Sequence, residues 1–457
     1  MTRVRCAFLL FSLALLLPSV VRAAEEAKPE IITIAGKEYR IIPDKVFRKM
    51  GFEFPDVARE ENAAYDYIRA INAYTRWEIE DARNDPRDQV LQGHWPEDDA
   101  ALREYFEQNK KALKHLRAGA QKKACHFPFF ESPLLEVPPE QIFHQMLAME
   151  LFGPLRELAR FLRFVGVMRE HDGDFAGSLE AYLDAAALGV HVGQDRLLIN
   201  NLVGVAITQI GRAGIWECAT RDQIDEKVLL RAQQRLAAIR ALRSSYLDMF
   251  RSERLFGRLA LEAQLASESV GGFALFDEEP PRWKIALAEV LVRSAGFQQS
   301  VRSYNAEVMD VIERLAERPM AEYVERCSEE VAKVGERYFL RLPEVVTGPP
   351  SALVESRAVY EHDRLDWTVT DVVLALARYK VRHEQYPEKL EQATGFMLSD
   401  GRDPFSGELL KYRRDGDEFV VWSVGENLVD DGGKVEAGNR WQQDDYVWNS
   451  RLLRGED

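Results

Sequence analysis

The side chains able to do chemistry are scattered rather than gathered into a known constellation. Eight histidines stand at 94, 115, 126, 144, 171, 191, 362 and 383. His383-Glu384 opens like a zinc-protease helix, but Pro387 stands where the second histidine of that motif is needed. His144 falls among apolar residues at helical spacing and reads as a core histidine. Cys125-His126 puts a thiol beside an imidazole, yet sequence neighbours rarely face each other, so no catalysis is expected there. There is no Gly-x-Ser-x-Gly elbow, no phosphate-binding P-loop and no dinucleotide fingerprint. Acidic pairs such as Glu60-Glu61, Asp98-Asp99 and Glu329-Glu330 fall in helical stretches and read as solvated surface. No residue is therefore assigned a catalytic or cofactor-binding role.

The N-terminal region decides where such groups would work. Arg3 and Arg5 precede an apolar run from Ala7 to Val21, and Val21-Arg22-Ala23 is a small-x-small cleavage signature. This is the layout of a secretory signal peptide, expected to be removed after Ala23. The run is short for a span of about 20 residues, so no stable membrane anchor is expected after cleavage. The location implied is periplasmic or extracellular. Of the four cysteines Cys6 lies in the leader, and Cys125, Cys218 and Cys327 are too far apart to share a metal; they read as buried apolar residues. Net charge is −15, and losing the three leader arginines makes it more negative still. That excludes a nucleic-acid groove, which needs clustered lysine and arginine, and disfavours an anionic lipid surface.

The elements that must hold these groups are mostly helical. Residues 24–55 form an N-terminal segment whose two β-rich runs flank Ala35-Gly36-Lys37, predicting a hairpin over 31–42. Residues 56–347 read as a helical domain. Helices are predicted over about 98–119, 139–170, 197–216, 224–265, 283–317 and 320–338. Gly348-Pro349-Pro350 is a strong breaker and marks the expected domain boundary. The domain at 352–457 opens with a helix whose apolar face is Leu365, Val369, Val372, Leu376 and Tyr379. It continues with strands at 409–413 and 418–424 around the turn Arg414-Asp415-Gly416-Asp417. The expected fold class is thus mostly α: a helical bundle followed by a small α+β domain of one helix and an antiparallel sheet.

Two segments resemble known families. Asp172-Gly173-Asp174-Phe175-Ala176-Gly177-Ser178-Leu179-Glu180-Ala181-Tyr182-Leu183 is similar to the turn and second helix of a tetratricopeptide repeat. The likeness covers one helix pair without repetition at a 34-residue period. Leu179 and Tyr182 are expected on its inward stripe. At the C-terminus, Ala375–Tyr379, Gln385-Tyr386-Pro387, Asp403-Pro404-Phe405, Leu410-Lys411-Tyr412 and Ser423-Val424-Gly425 occur in order. They resemble the globular domain of the major pseudopilins of type II secretion. That resemblance implies a calcium ion in the C-terminal loop, with Asp430, Asp431, Asp444 and Asp445 as its oxygen donors and Gly432 and Gly433 turning the loop. Carboxylates and carbonyls suit calcium, which takes six to eight oxygens. The chain departs from the family in having a signal peptide and a helical domain in place of an assembly helix, and Glu426-Asn427-Leu428 in place of a more acidic loop. Polymerisation as a pilin is not expected. As a whole the chain loosely resembles exported proteins of bacteria with elaborate envelopes. The function this implies is a non-enzymatic scaffold or adaptor of the cell envelope with protein partners; the alternative is a secreted hydrolase or lyase whose site is assembled from distant residues.

Overall fold

Alternating apolar residues and a two-residue turn make the first structure in the chain a hairpin. In the computed structural model, which describes residues 30–49, 51–77, 86–91, 94–131, 149–195, 197–221, 223–266, 281–347, 351–434 and 445–453, β1 (Ile31–Ile34) pairs antiparallel with β2 (Lys37–Ile42). Ala35 and Gly36 both take positive φ, the turn whose twist matches that of the strands. A third strand, β3 (Phe129–Glu131), joins β2 with Ile42 opposite Phe129. The sequence gives no signal for it, because it lies in a proline-marked stretch. Residues 1–29, which hold the expected signal peptide, lie outside the described residues.

Short helices α1 (Asp44–Lys49), α2 (Ala63–Ala73), α3 (Pro86–Leu91), α4 (Ala100–Gln108) and α5 (Lys110–Ala120) follow. The single helix expected over 98–119 is divided at Asn109. Its buried side chain accepts from Thr75 N at 2.8 Å and donates to the carbonyls of Thr75 and Tyr105 at 3.1 and 3.0 Å. The amide thus docks on the residues after α2, and the helix breaks to let it do so.

The centre is built from α6 (Met149–His171), α7 (Phe175–Gly193) and α8 (Leu198–Ala219). Asp174 caps α7 by accepting from Gly177 N at 2.9 Å, and Gly173 makes the preceding turn at φ +80°. Leu179 and Tyr182 are buried, as their stripe requires. A glycine seam brings α7 and α8 into backbone contact: a Cβ on Gly189 would lie 2.5 Å from Gly204 O, and one on Gly211 2.5 Å from Tyr182 O. Small residues at a crossing let the helices approach this closely.

Next come α9 (Glu226–Arg240), α10 (Tyr246–Ala266), α11 (Arg282–Leu291), α12 (Ala295–Leu315), α13 (Met320–Glu336) and the short α14 (Leu342–Thr347). Two helices expected to be continuous are split, each before a serine cap. Ser245 Oγ accepts from Asp248 N at 3.0 Å, and Ser294 Oγ accepts from Phe297 N at 3.3 Å. Among the described residues no helix is long and apolar enough to cross a membrane.

The last part is one helix against a small sheet. Helix α15 (Ser351–His383) has 33 residues, roughly 50 Å of helix. β4 (Lys411–Asp415) and β5 (Glu418–Ser423) form the expected hairpin, with Gly416 at φ +62°. An unforeseen third strand, β6 (Tyr446–Asn449), pairs with β5 and leads into α16 (Ser450–Leu453). The chain is therefore mostly α with a small α+β part at its C-terminus. The boundary expected at Gly348–Pro350 lies outside the described residues, but the packing on its two sides is shared. One buried apolar cluster holds Tyr182, Trp216 and Ile312 together with Trp367, Phe419 and Trp448. Trp216 Nε1 donates to Thr370 Oγ1 at 2.9 Å. The fully buried Arg212 guanidinium meets Asp363 at 2.7 Å and Asp366 at 3.3 Å. Burial pushes Asp363 up, but Arg243 and Arg212 outweigh it and hold its carboxyl below the usual range.

Candidate functional site

The α6–α7 hairpin does more than fill the core. Its first turn, the end of α5 and the start of α9 enclose a cavity of about 430 Å³. The polar groups on it are dominated by guanidinium: Arg117 from α5, Arg169 from α6 and Arg231 from α9. Arg235, one helical turn beyond Arg231, holds the two carboxylates of the wall. It pairs with Glu180 through one nitrogen and with buried Asp184 through the other. Asp184 also lies 3.7 Å from Arg117 Nε. Burial pushes the Asp184 carboxyl up, and Arg235 opposes that shift. Arg169 donates to Gly177 O at 2.7 Å, and burial together with the charge of Arg117 lowers its pKa. A side chain at position 177 would collide with this arrangement, since its Cβ would lie 2.1 Å from Asp174 Oδ2 and 2.8 Å from the Arg169 guanidinium. Leu179, Val228, Ala176 and Ala232 supply an apolar lining.

These groups can bind but are poorly suited to moving protons. A guanidinium stays protonated at any working pH. Sequence reading did not assemble them, because they come from four helices. The one local signal is Arg231 and Arg235, four residues apart and therefore on one face of α9.

The Cys125-His126 pair is a structural clamp. His126 Nδ1 is 2.8 Å from Asp195 Oδ1, Nε2 is 3.2 Å from Asp44 Oδ1, and the ring stacks on Phe54 at 4.7 Å. Burial disfavours the charged imidazole, but the two carboxylates outweigh it and hold its pKa at about 9. The backbone of His126 is fixed by Asn62, which accepts from its N and donates to its O. Burial pushes the Cys125 thiol well up, so it stays protonated. The imidazole and thiol are thus both in their protonated forms at neutral pH, the opposite of an activated nucleophile and its base.

The expected calcium donors are partly brought together. Asp430 Oδ1 accepts from Trp422 Nε1 at 2.9 Å and from Gly432 N at 3.0 Å. Asp445 is buried and accepts through Oδ2 from Gly433 N at 2.9 Å. Burial raises its pKa, and the nearby charges of Asp431 and Asp430 add to the shift. Among the described residues its buried Oδ1 has no hydrogen-bond partner. Asp444 lies outside the described residues. Among the described residues no group of three or more His, Cys, Asp and Glu side chains has the geometry to hold a metal ion. Gly432 and Gly433 do take the left-handed conformation, at φ +82° and +61°.

Comparison with protein-family models, with curated proteins and with solved structures finds no match to this chain.

Proposed function

We propose that the protein is an exported, non-enzymatic scaffold or adaptor of the bacterial cell envelope. One observation carries the adaptor reading. Helix α11 turns Trp283, Ala286 and Val290 outward, with Trp283 54% and Val290 69% exposed. Residues three, four and seven apart share one helix face, so this is an apolar row rather than scattered exposure. Tryptophan is also, with tyrosine and arginine, among the side chains that carry most interface binding energy. The export half of the reading rests on the leader at residues 1–23. N-terminal sequencing of the exported protein is expected to begin at Ala24; retention of Met1 would refute cleavage.

The adaptor reading is tested by affinity capture of the mature protein from its native envelope, beside a Trp283→Ala/Val290→Ser variant. Recurrent protein partners that the variant loses support it. Equal capture by both proteins, or no partner beside a small molecule that is turned over, would sink it in favour of a secreted hydrolase or lyase.

We further propose that the C-terminal loop takes a calcium ion through Asp430, Asp431 and Asp445, joined by Asp444. The buried Oδ1 of Asp445, which has no hydrogen-bond partner among the described residues and feels the charges of Asp430 and Asp431, supports this. Binding to the folded state alone stabilises it by mass action. Millimolar calcium is expected to raise the melting temperature of the whole protein and a chelator to reverse the rise. An unchanged midpoint would leave these aspartates as turn residues.

A further inference from the structure

We propose that the cavity beneath the α6–α7 hairpin binds a small organic anion, a carboxylate or phosphate ester that carries an apolar group. The inference is independent of the adaptor reading.

The first argument is charge balance. Four guanidiniums face or flank the cavity, and two carboxylates, Glu180 and Asp184, answer them. Both carboxylates are held by Arg235. Among the described residues Arg169 and Arg231 have no carboxylate within ion-pairing distance. Asp174, which caps α7 at Gly177 N, is a third carboxylate that supports the Arg169 charge, so four guanidiniums stand against three carboxylates. The wall therefore keeps an excess of positive charge, although the chain carries −15 overall. Burial and the neighbouring Arg117 already work against the Arg169 charge. A bound anion would relieve both.

The second argument is geometry. The unpaired guanidiniums approach from two different helices, α6 and α9, and each offers a planar fork that suits carboxylate or phosphate oxygens. Arg169 is anchored by its bond to Gly177 O, so part of the ordering is done before a ligand arrives. The third argument is the lining. Leu179 and Val228 form an apolar wall beside the arginines, which a bare inorganic ion would leave unused. The volume falls in the range of small-molecule pockets, about 300–1,000 Å³.

The test is calorimetric titration of the whole mature protein with phenyl phosphate, 3-phenylpropionate, inorganic phosphate and benzyl alcohol. At least one aromatic anion is expected to bind about tenfold more tightly than benzyl alcohol, the margin of one charged hydrogen bond. The tighter of the phosphate and carboxylate arms identifies the head group. Arg231 is exposed, so Arg231→Gln is expected to fold normally and to weaken binding about tenfold; Arg169→Gln is expected to do the same. The proposal is overturned if neither aromatic anion outbinds benzyl alcohol, or if inorganic phosphate binds as tightly as phenyl phosphate. It is also overturned if the folded Arg231→Gln protein binds like wild type.

Discussion

Replacing Asp371 by asparagine should loosen the whole molecule rather than one end of it. Asp371 lies buried midway along α15, and its carboxylate gathers four donors. Gln233 Nε2 from α9 reaches Oδ1 at 2.6 Å. Leu398 N, Ser399 N and Ser399 Oγ reach Oδ2 at 3.0, 2.7 and 2.6 Å. An asparagine keeps one acceptor oxygen and turns a donor toward the other side. Its best orientation keeps the loop bonds, now to a neutral acceptor, and sets its NH2 against Gln233. Gln233 retains a bond to Phe396 O at 2.9 Å and is not stranded. A hydrogen bond to a charged group contributes about 1.5–3 kcal/mol and a neutral one about 0.5–1.5. Weakening three bonds by about 1–1.5 kcal/mol each and losing a fourth therefore costs about 4.5–7.5 kcal/mol. Urea denaturation of the full chain, followed by far-UV dichroism and tryptophan fluorescence, reads this as a lower midpoint at unchanged slope. Both signals should move together, because α9 and α15 belong to one apolar cluster. A shift worth less than about 1 kcal/mol would refute the bond accounting. A fluorescence transition that moves while the dichroism transition stays would refute the shared core and make 352–457 a separable domain.

Three further outcomes are expected. His191 is buried, donating from Nε2 to Lys122 O at 3.0 Å and accepting at Nδ1 from Tyr67, and burial lowers its pKa to about 4. The unfolded chain then binds the extra proton between that value and an ordinary pKa near 6.5, so stability falls by about 3 kcal/mol as pH drops through this window; a melting temperature unchanged between these pH values would contradict it. Gly166→Ala places a Cβ 1.9 Å from the ring of Tyr182, which Gly214 also adjoins, and should cost about 1–3 kcal/mol, whereas Gly153→Ala in the same helix has open space and should stabilise by up to about 1 kcal/mol; equal denaturation midpoints for the two variants would disprove the close packing. Leu179→Ala should cost about 2–5 kcal/mol by denaturant titration, and a protein as stable as wild type would show that the stripe carries no packing.

Local codes in the chain were sufficient for much of this architecture. Apolar spacing of three and four residues determined the helices, and Ala35-Gly36 and Gly416 determined the two hairpins, because these signals act within a few residues and need no distant partner. Gly173 and Asp174 set the helical hairpin in the same way. Ser245 and Ser294 cap α10 and α12, but continuous apolar patterning across them hid both breaks from the sequence. Tertiary structure alone decided the rest. Asn109 ends a helix because its amide meets the backbone at Thr75, a partner 34 residues away. β3 and β6 are runs of three and four residues whose β-prone Phe129-Phe130 and Tyr446-Val447-Trp448 become strands only by pairing with the edges of β2 and β5. The arginine-lined cavity exists only because α5, α6, α7 and α9 converge, and a guanidinium's charge acts through space without regard to its place in the chain.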